Sequence, residues 1–298
     1  MISRDKLRDK IARMVSATAI YLREDVKEAL VKAYDKEGSP VAKSVFKSII
    51  DNVKVAEDEK RPLCQDTGTL VFYVKAGESF HLLGELASII KEATIEATLF
   101  TPLRPNAVDV ITGKNSGDNT GERIPWIEWE IVPDCDEAEI TVMLKGGGSE
   151  GPSLAKTIPP GLGVKEALKM AIDTIFEAGA KPCPPVILGV GLGPTGDIAM
   201  SLAKKAIIRR IGKRNPRADV AELEDKLLQA VNALGWGPHG VGGCTTALDA
   251  HIEMAHRHPA ALAVGIAVNC WALRTSALRV TKDRVEFLTH KSLNLEGE

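Results

Sequence analysis

The sequence predicts an α+β fold: a helix-rich single compact unit over residues 1–298 with a mainly antiparallel sheet. Three observations predict it. Apolar residues make up 44% and charged residues 26% of the chain, an ordinary globular composition at a length that buries a core without disulfide staples. Helical and strand periodicities come in blocks and do not strictly alternate, which disfavours a doubly wound parallel sheet. No internal repeat, low-complexity segment or long linker separates autonomous domains.

Each element follows from local pattern. Residues 2–35 and 41–58 carry apolar side chains at helical spacing among Lys, Asp and Glu, with a break at Gly38, Ser39 and Pro40. Residues 61–68 are polar and rich in turn formers and feed a β-branched, aromatic strand at Thr69–Val74. Helical spacing resumes over His81–Phe100 and ends at Pro102 and Pro105, with Arg104 inside the break. Trp126–Val132 and Glu137–Leu144 flank a turn at Pro133–Asp136 and suggest an antiparallel hairpin. Its second strand runs into Lys145, Gly146, Gly147, Gly148, Ser149 and Glu150. Val164–Ala178 reads as a helix, Pro185–Val190 as a strand, and Gly196–Ile211 and Ala218–Leu234 as helices.

Charge and hydropathy exclude several function classes. The 38 basic and 40 acidic residues leave a net charge of −2, so no overall field draws the chain to nucleic acid or an anionic membrane. A basic run from Lys204 to Arg217 has no interleaved aromatic for base stacking and reads as a solvated helical face or subunit contact. The longest charge-free apolar stretch, Pro259–Leu273, is shorter than the roughly 20 residues a spanning helix needs. The N-terminus reads as a helix face and not a secretion signal, which makes the cytoplasm the expected compartment.

Five cysteines, at 64, 135, 183, 244 and 270, form an odd set without a C-x-x-C pair. They are expected as reduced thiols that are buried, reactive or bound to metal. Polar, turn-forming surroundings set Cys64 and Cys183 apart from inert core cysteines, and Cys270 ends an apolar run before Trp271; Cys135 and Cys244 are blander.

Gly191–Gly196 matches the G-x-G-x-x-G dinucleotide pattern after a strand and before a helix, which opens a nucleotide-binding alternative. Against it, no second parallel strand is expected after the helix, and Arg209–Lys213 stand where an acidic residue would bind ribose. What survives is a turn whose amides suit an anion or the sulfides of a cluster. The glycines at 146–148 either permit a tight loop or let the backbone approach a ligand. Among the histidines, His251 reads as structural in a helical pattern, whereas His239 and His258 lie in turns and are the acid–base candidates.

Five segments together are specific: Pro62–Thr69 (PLCQDTGT), Leu103–Val108 (LRPNAV), Lys145–Glu150 (KGGGSE), Lys181–Pro184 (KPCP) and Gly189–Asp197 (GVGLGPTGD). They resemble the class I, iron–sulfur-dependent fumarate hydratases and L-tartrate dehydratases, and the likeness covers nearly the whole chain. The cysteine separations are similar to those of α subunits in the two-subunit members. The resemblance implies a 4Fe-4S cluster held by Cys64, Cys183 and Cys270, with one iron left open as a Lewis acid for a small dicarboxylate. It further implies that Gln65, Arg104 and Gly147 bind substrate and that Asp66 and His258 act in proton transfer. By the same resemblance the chain is half an enzyme, completed by a β subunit in an α2β2 assembly, and its activity is oxygen-sensitive. Reversible hydration of fumarate to L-malate is the expected reaction, with L-tartrate dehydration as the alternative. Two positions depart from the family pattern. Gly151 stands in place of an asparagine, and Cys244 is a rival ligand to Cys270.

Overall fold

The computed structural model of the chain describes residues 1–291 and 293, and its class is α+β. In order, the elements are α1 (Arg4–Ile20), α2 (Glu24–Lys36), α3 (Pro40–Glu59), β1 (Thr69–Gly77), α4 (Leu86–Phe100), β2 (Trp126–Val132), β3 (Ala138–Lys145), α5 (Gly147–Glu150) and β4 (Leu154–Ile158). The chain continues through α6 (Gly163–Ala178), β5 (Val186–Gly193), α7 (Gly196–Ile208), α8 (Ala218–Asn232), β6 (Ala247–Met254), β7 (Leu262–Asn269), β8 (Thr275–Val280) and β9 (Val285–Phe287). The stretch with helical spacing over 2–35 forms two helices, because Tyr21 at the α1 C-cap adopts extended backbone, and the break before Pro40 is where the sequence places it.

Two compact units make up the chain. The first comprises Met1–Glu24, Asn52–Gly146 and the chain from Arg274 on; the second comprises Asp25–Asp51 and Gly147–Leu273.

The first unit holds a five-stranded sheet in the order β2-β1-β3-β8-β9. Alternation along β1 and β3 sends Leu70, Phe72, Val74 and Ala76 to one face, directly opposite Leu144, Val142, Ile140 and Ala138. There they join Leu7, Ile11 and Met14 of α1 and Ile89, Ile90 and Ala93 of α4 in a single core. The expected hairpin of β2 and β3 does not form. β1 lies between them, antiparallel to β3 and parallel to β2, so turn chemistry at 133–136 yields to the longer, more apolar β1 as the partner of both. That leaves β2 at the sheet edge with Trp126, Trp129 and Ile131 exposed.

The second unit holds a four-stranded sheet in the order β4-β7-β5-β6, antiparallel except for the β5/β6 pair. The expectation that no parallel strand follows α7 is therefore corrected: β6 returns parallel to β5 after α7 and α8. Period-two alternation along β5 explains its glycines. Val186, Leu188, Val190 and Leu192 belong to the core with Ala167, Ala171 and Ile175 of α6 and Val220, Leu227 and Val231 of α8. Gly189, Gly191 and Gly193 alternate with them. An added Cβ would strike the Ala203 carbonyl from Gly189 and the Ala199 carbonyl from Gly191 and Gly265. The glycine stripe thus seats α7 directly on the sheet backbone, which is a packing reason for the spacing that looked like a nucleotide motif.

Candidate active site

In the first unit, the segment between α3 and β1 is built to hold one shape. The Asp66 carboxylate accepts the Gly68 amide at 3.0 Å, a local turn that short acidic side chains favour. Gly68 has φ +84°, and a Cβ there would lie 2.7 Å from the Leu144 carbonyl carbon, so only glycine fits. Thr67 Oγ1 donates to the Arg104 carbonyl at 3.2 Å, and Asn106 Nδ2 donates to the Gly68 carbonyl at 3.1 Å. Asn119 Oδ1 in turn accepts the Asn106 amide at 2.7 Å. These bonds bring Cys64, Gln65 and Asp66 together with the segment bearing Arg104. Cys64 is half-buried, while Gln65 and Arg104 are exposed.

In the second unit, Cys183 is exposed at φ +52° in its turn, and its amide donates to the Ala180 carbonyl at 3.0 Å. Two other segments fix that turn. The Trp271 amide donates to the Cys183 carbonyl at 3.4 Å, which sets the residue after Cys270 against it, and the His239 amide donates to the Pro184 carbonyl at 2.8 Å. Residues 146–150 are not a simple loop, since Gly147–Glu150 forms the short helix α5. A Cβ on Gly148 would sit 3.5 Å from the Lys181 carbonyl, so this turn lies beside the segment leading to Cys183. The structure thus draws together Gly147, Cys183 and Cys270.

His258 is not among them. It lies exposed in the loop before β7, where its Nδ1 accepts the Ala260 amide at 3.1 Å, whereas Cys270 follows the other end of that strand. The eight-residue strand β7 lies between the two along the chain. His239 also has φ above zero, and burial lowers its pKa. His251 sits on β6 and not in a helix; it is fully buried, with Nδ1 3.0 Å from the Ala206 carbonyl and Nε2 3.0 Å from Asp249.

Cys244 is engaged elsewhere. Its amide donates to Glu37 at 2.9 Å and its Sγ lies 3.4 Å from the same carboxylate. Burial opposes ionisation of Glu37, but the amides of Ser39, Cys244 and Gly38 outweigh it and hold the carboxyl below its ordinary value.

Four members of the basic run are tied to acids. Arg209 donates to Glu224 and Glu253, Arg214 to Asp225 and Asp249, Arg217 to Asp219, and Lys204 to Glu150. Glu224 and Asp249 are buried, so Arg209 and Arg214 clip this segment onto α8 and β6, while Arg210 and Lys213 are exposed.

The five cysteines remain thiols. Among the described residues no three His, Cys, Asp or Glu side chains are gathered as a metal site. The donor chemistry nevertheless suits an iron–sulfur group, because Cys64, Cys183 and Cys270 are thiols that all lie outside helices and strands and none is fully buried in an apolar core. No helix among the described residues is long and apolar enough to cross a membrane.

Residues 8–279 match the family model described as fumarate hydratase (Fumerase). The chain is 41% identical over 287 residues to the L(+)-tartrate dehydratase subunit alpha of Escherichia coli strain UTI89, covering 96% of this chain and 95% of that one. It is 43% identical over 281 residues to the putative L(+)-tartrate dehydratase subunit alpha of Methanocaldococcus jannaschii, covering 93% and 99%.

Proposed function

Because this chain belongs to the fumarate hydratase (Fumerase) family, we propose that it is the α subunit of an iron–sulfur hydro-lyase that dehydrates L(+)-tartrate. The observation that carries the reading is the hydrogen bond from Trp271 to the Cys183 carbonyl, which sets two of the three candidate thiols on adjoining turns. The tartrate assignment is supported by the names of relatives matched over nearly the full length of both chains. Fumarate hydration, the reaction first expected, is the second reading and is favoured by the description of the family model.

In this reading Cys64, Cys183 and Cys270 hold a 4Fe-4S cluster. When bound, the cluster supplies a Lewis acid that helps a substrate hydroxyl depart as hydroxide, without electron transfer. The chain's own residues bind and orient. Arg104, exposed and fixed through its carbonyl by Thr67, offers a planar fork to one substrate carboxylate. Gln65 contacts the substrate beside it, and Gly147 lets the backbone approach closely. Asp66, held in its turn by the Gly68 amide, serves the proton transfer. His258 owes its proposed role to the family resemblance alone, since the second unit does not set it beside Cys183 or Cys270. A β subunit, in an α2β2 assembly, supplies the contacts to the second carboxylate.

Anaerobic assays of the chain co-expressed with its β partner test the proposal. Turnover of L(+)-tartrate well above hydration of fumarate is expected. The reverse ratio favours the second reading, and full turnover by the isolated chain overturns the subunit scheme.

A further inference from the structure

The sequence singles out Arg104, yet the more constrained arginine of the first unit is Arg274. It is only 2% exposed and ranks among the largest fully buried side chains. Taking a guanidinium out of water is costly unless its donors are used. Here Nη1 donates to the Asp66 carbonyl at 2.6 Å, while Nε is buried with no hydrogen-bond partner. The backbone of Arg274 is fixed as well, since its carbonyl accepts the Leu144 amide at 3.0 Å.

The third side of this arrangement is Gly146. A Cβ there would lie 3.2 Å from Asp66 Oδ2 and 3.3 Å from Arg274 Nη2. Carboxylate and guanidinium therefore both reach the space that the missing side chain leaves. A charge this deeply buried and this incompletely bonded is a poor device for stability alone. As a strut it has a clear purpose, because it ties the end of β3 to the carbonyl of the residue whose carboxylate must be aimed. Only a planar group with several donors can meet a carbonyl on one nitrogen and face a carboxylate with another.

We infer that Arg274 is a positioning residue for the dehydration: it holds the 64–68 segment, and with it the Asp66 carboxylate, in working orientation against Gly146. The inference rests on the function proposed above for Asp66.

Arg274→Met, Arg274→Lys and Gly146→Ala, each co-expressed with the β partner, test it by amide hydrogen exchange and steady-state kinetics. For Arg274→Met, exchange in residues 61–68 should rise about tenfold while β5 and β7 stay protected. Its kcat should fall about 100-fold with KM nearly constant, the scale expected when a reacting group is misplaced by about 1 Å. Arg274→Lys should recover part of both effects. Unchanged exchange at 61–68, unchanged kcat, or an even loss of protection across α1, β1 and β3 would overturn the proposal; the last result would mark a purely structural residue. If the Met variant does not fold, Gly146→Ala decides, since its methyl presses on the same two groups: faster exchange at 61–68 is expected, and wild-type exchange overturns. A wild-type complex inactive on both tartrate and fumarate would sink the proposed function, while hydrogen exchange would still judge the strut.

Discussion

At the scale of single residues, burial and charge divide the molecule into groups that stabilise and groups that act. Asp249 belongs to the first kind. Burial opposes its ionisation, but His251, the Gly212 amide and Arg214 bond to it and hold its pKa at about 2. A carboxyl whose pKa is depressed by folding stabilises above its unfolded value and loses that contribution as pH falls through the folded one. Its share, about 2 kcal/mol by the size of the shift, should be present above pH 4 and vanish towards pH 2. Asp249→Asn should therefore lower the midpoint of urea unfolding at pH 7 and flatten its dependence between pH 4 and 2. In the proposed function the thiols of Cys64, Cys183 and Cys270 belong to the second kind. Cys270→Ala should lose iron and sulfide on anaerobic purification, whereas Cys244→Ala should keep both, because Cys244 already faces Glu37. Cys64 and Cys183 stand out by their turn-forming surroundings, and Cys270 and Arg104 enter the proposal through the family likeness. Arg274 and Asp249 were not legible, because their importance lies in what surrounds them and not in their neighbours along the chain.

Secondary structure was legible wherever one period dominated, as in α3, α4, α6 and α8. It failed where two explanations shared one pattern. The glycines of the 191–196 segment read as a phosphate turn, yet Gly189, Gly191 and Gly193 are spaced by two, the period of a strand, and the bulk they omit is occupied by α7. Gly191→Ala should accordingly destabilise the chain by about 1–3 kcal/mol or prevent folding, as overpacking does. Thermal unfolding would show it, and a variant as stable as wild type would refute the seating of α7. The missed β2–β1 pairing has a similar origin. Turn residues at 133–136 specify a reversal of direction, but not which strand fills the gap between the reversed segments.

The α+β class and the predominance of antiparallel pairs were legible at the scale of the whole molecule, because composition and element order constrain them directly. Pairing order was not, since it depends on contacts far apart in sequence. The function proposed above rests on a cluster with one iron left open, and such an iron is exposed to oxidants. The complex should lose activity in air and regain it with ferrous iron, sulfide and a thiol reductant; indifference to oxygen would count against a labile cluster. Finally, the exposed edge at β2 makes the protein its own optical probe. Trp126 and Trp129 stand in water there while Trp271 is buried, so aqueous iodide should quench a large part of the native emission. A blue shift with loss of that quenching would report any molecule that settles over the strand, without a dye.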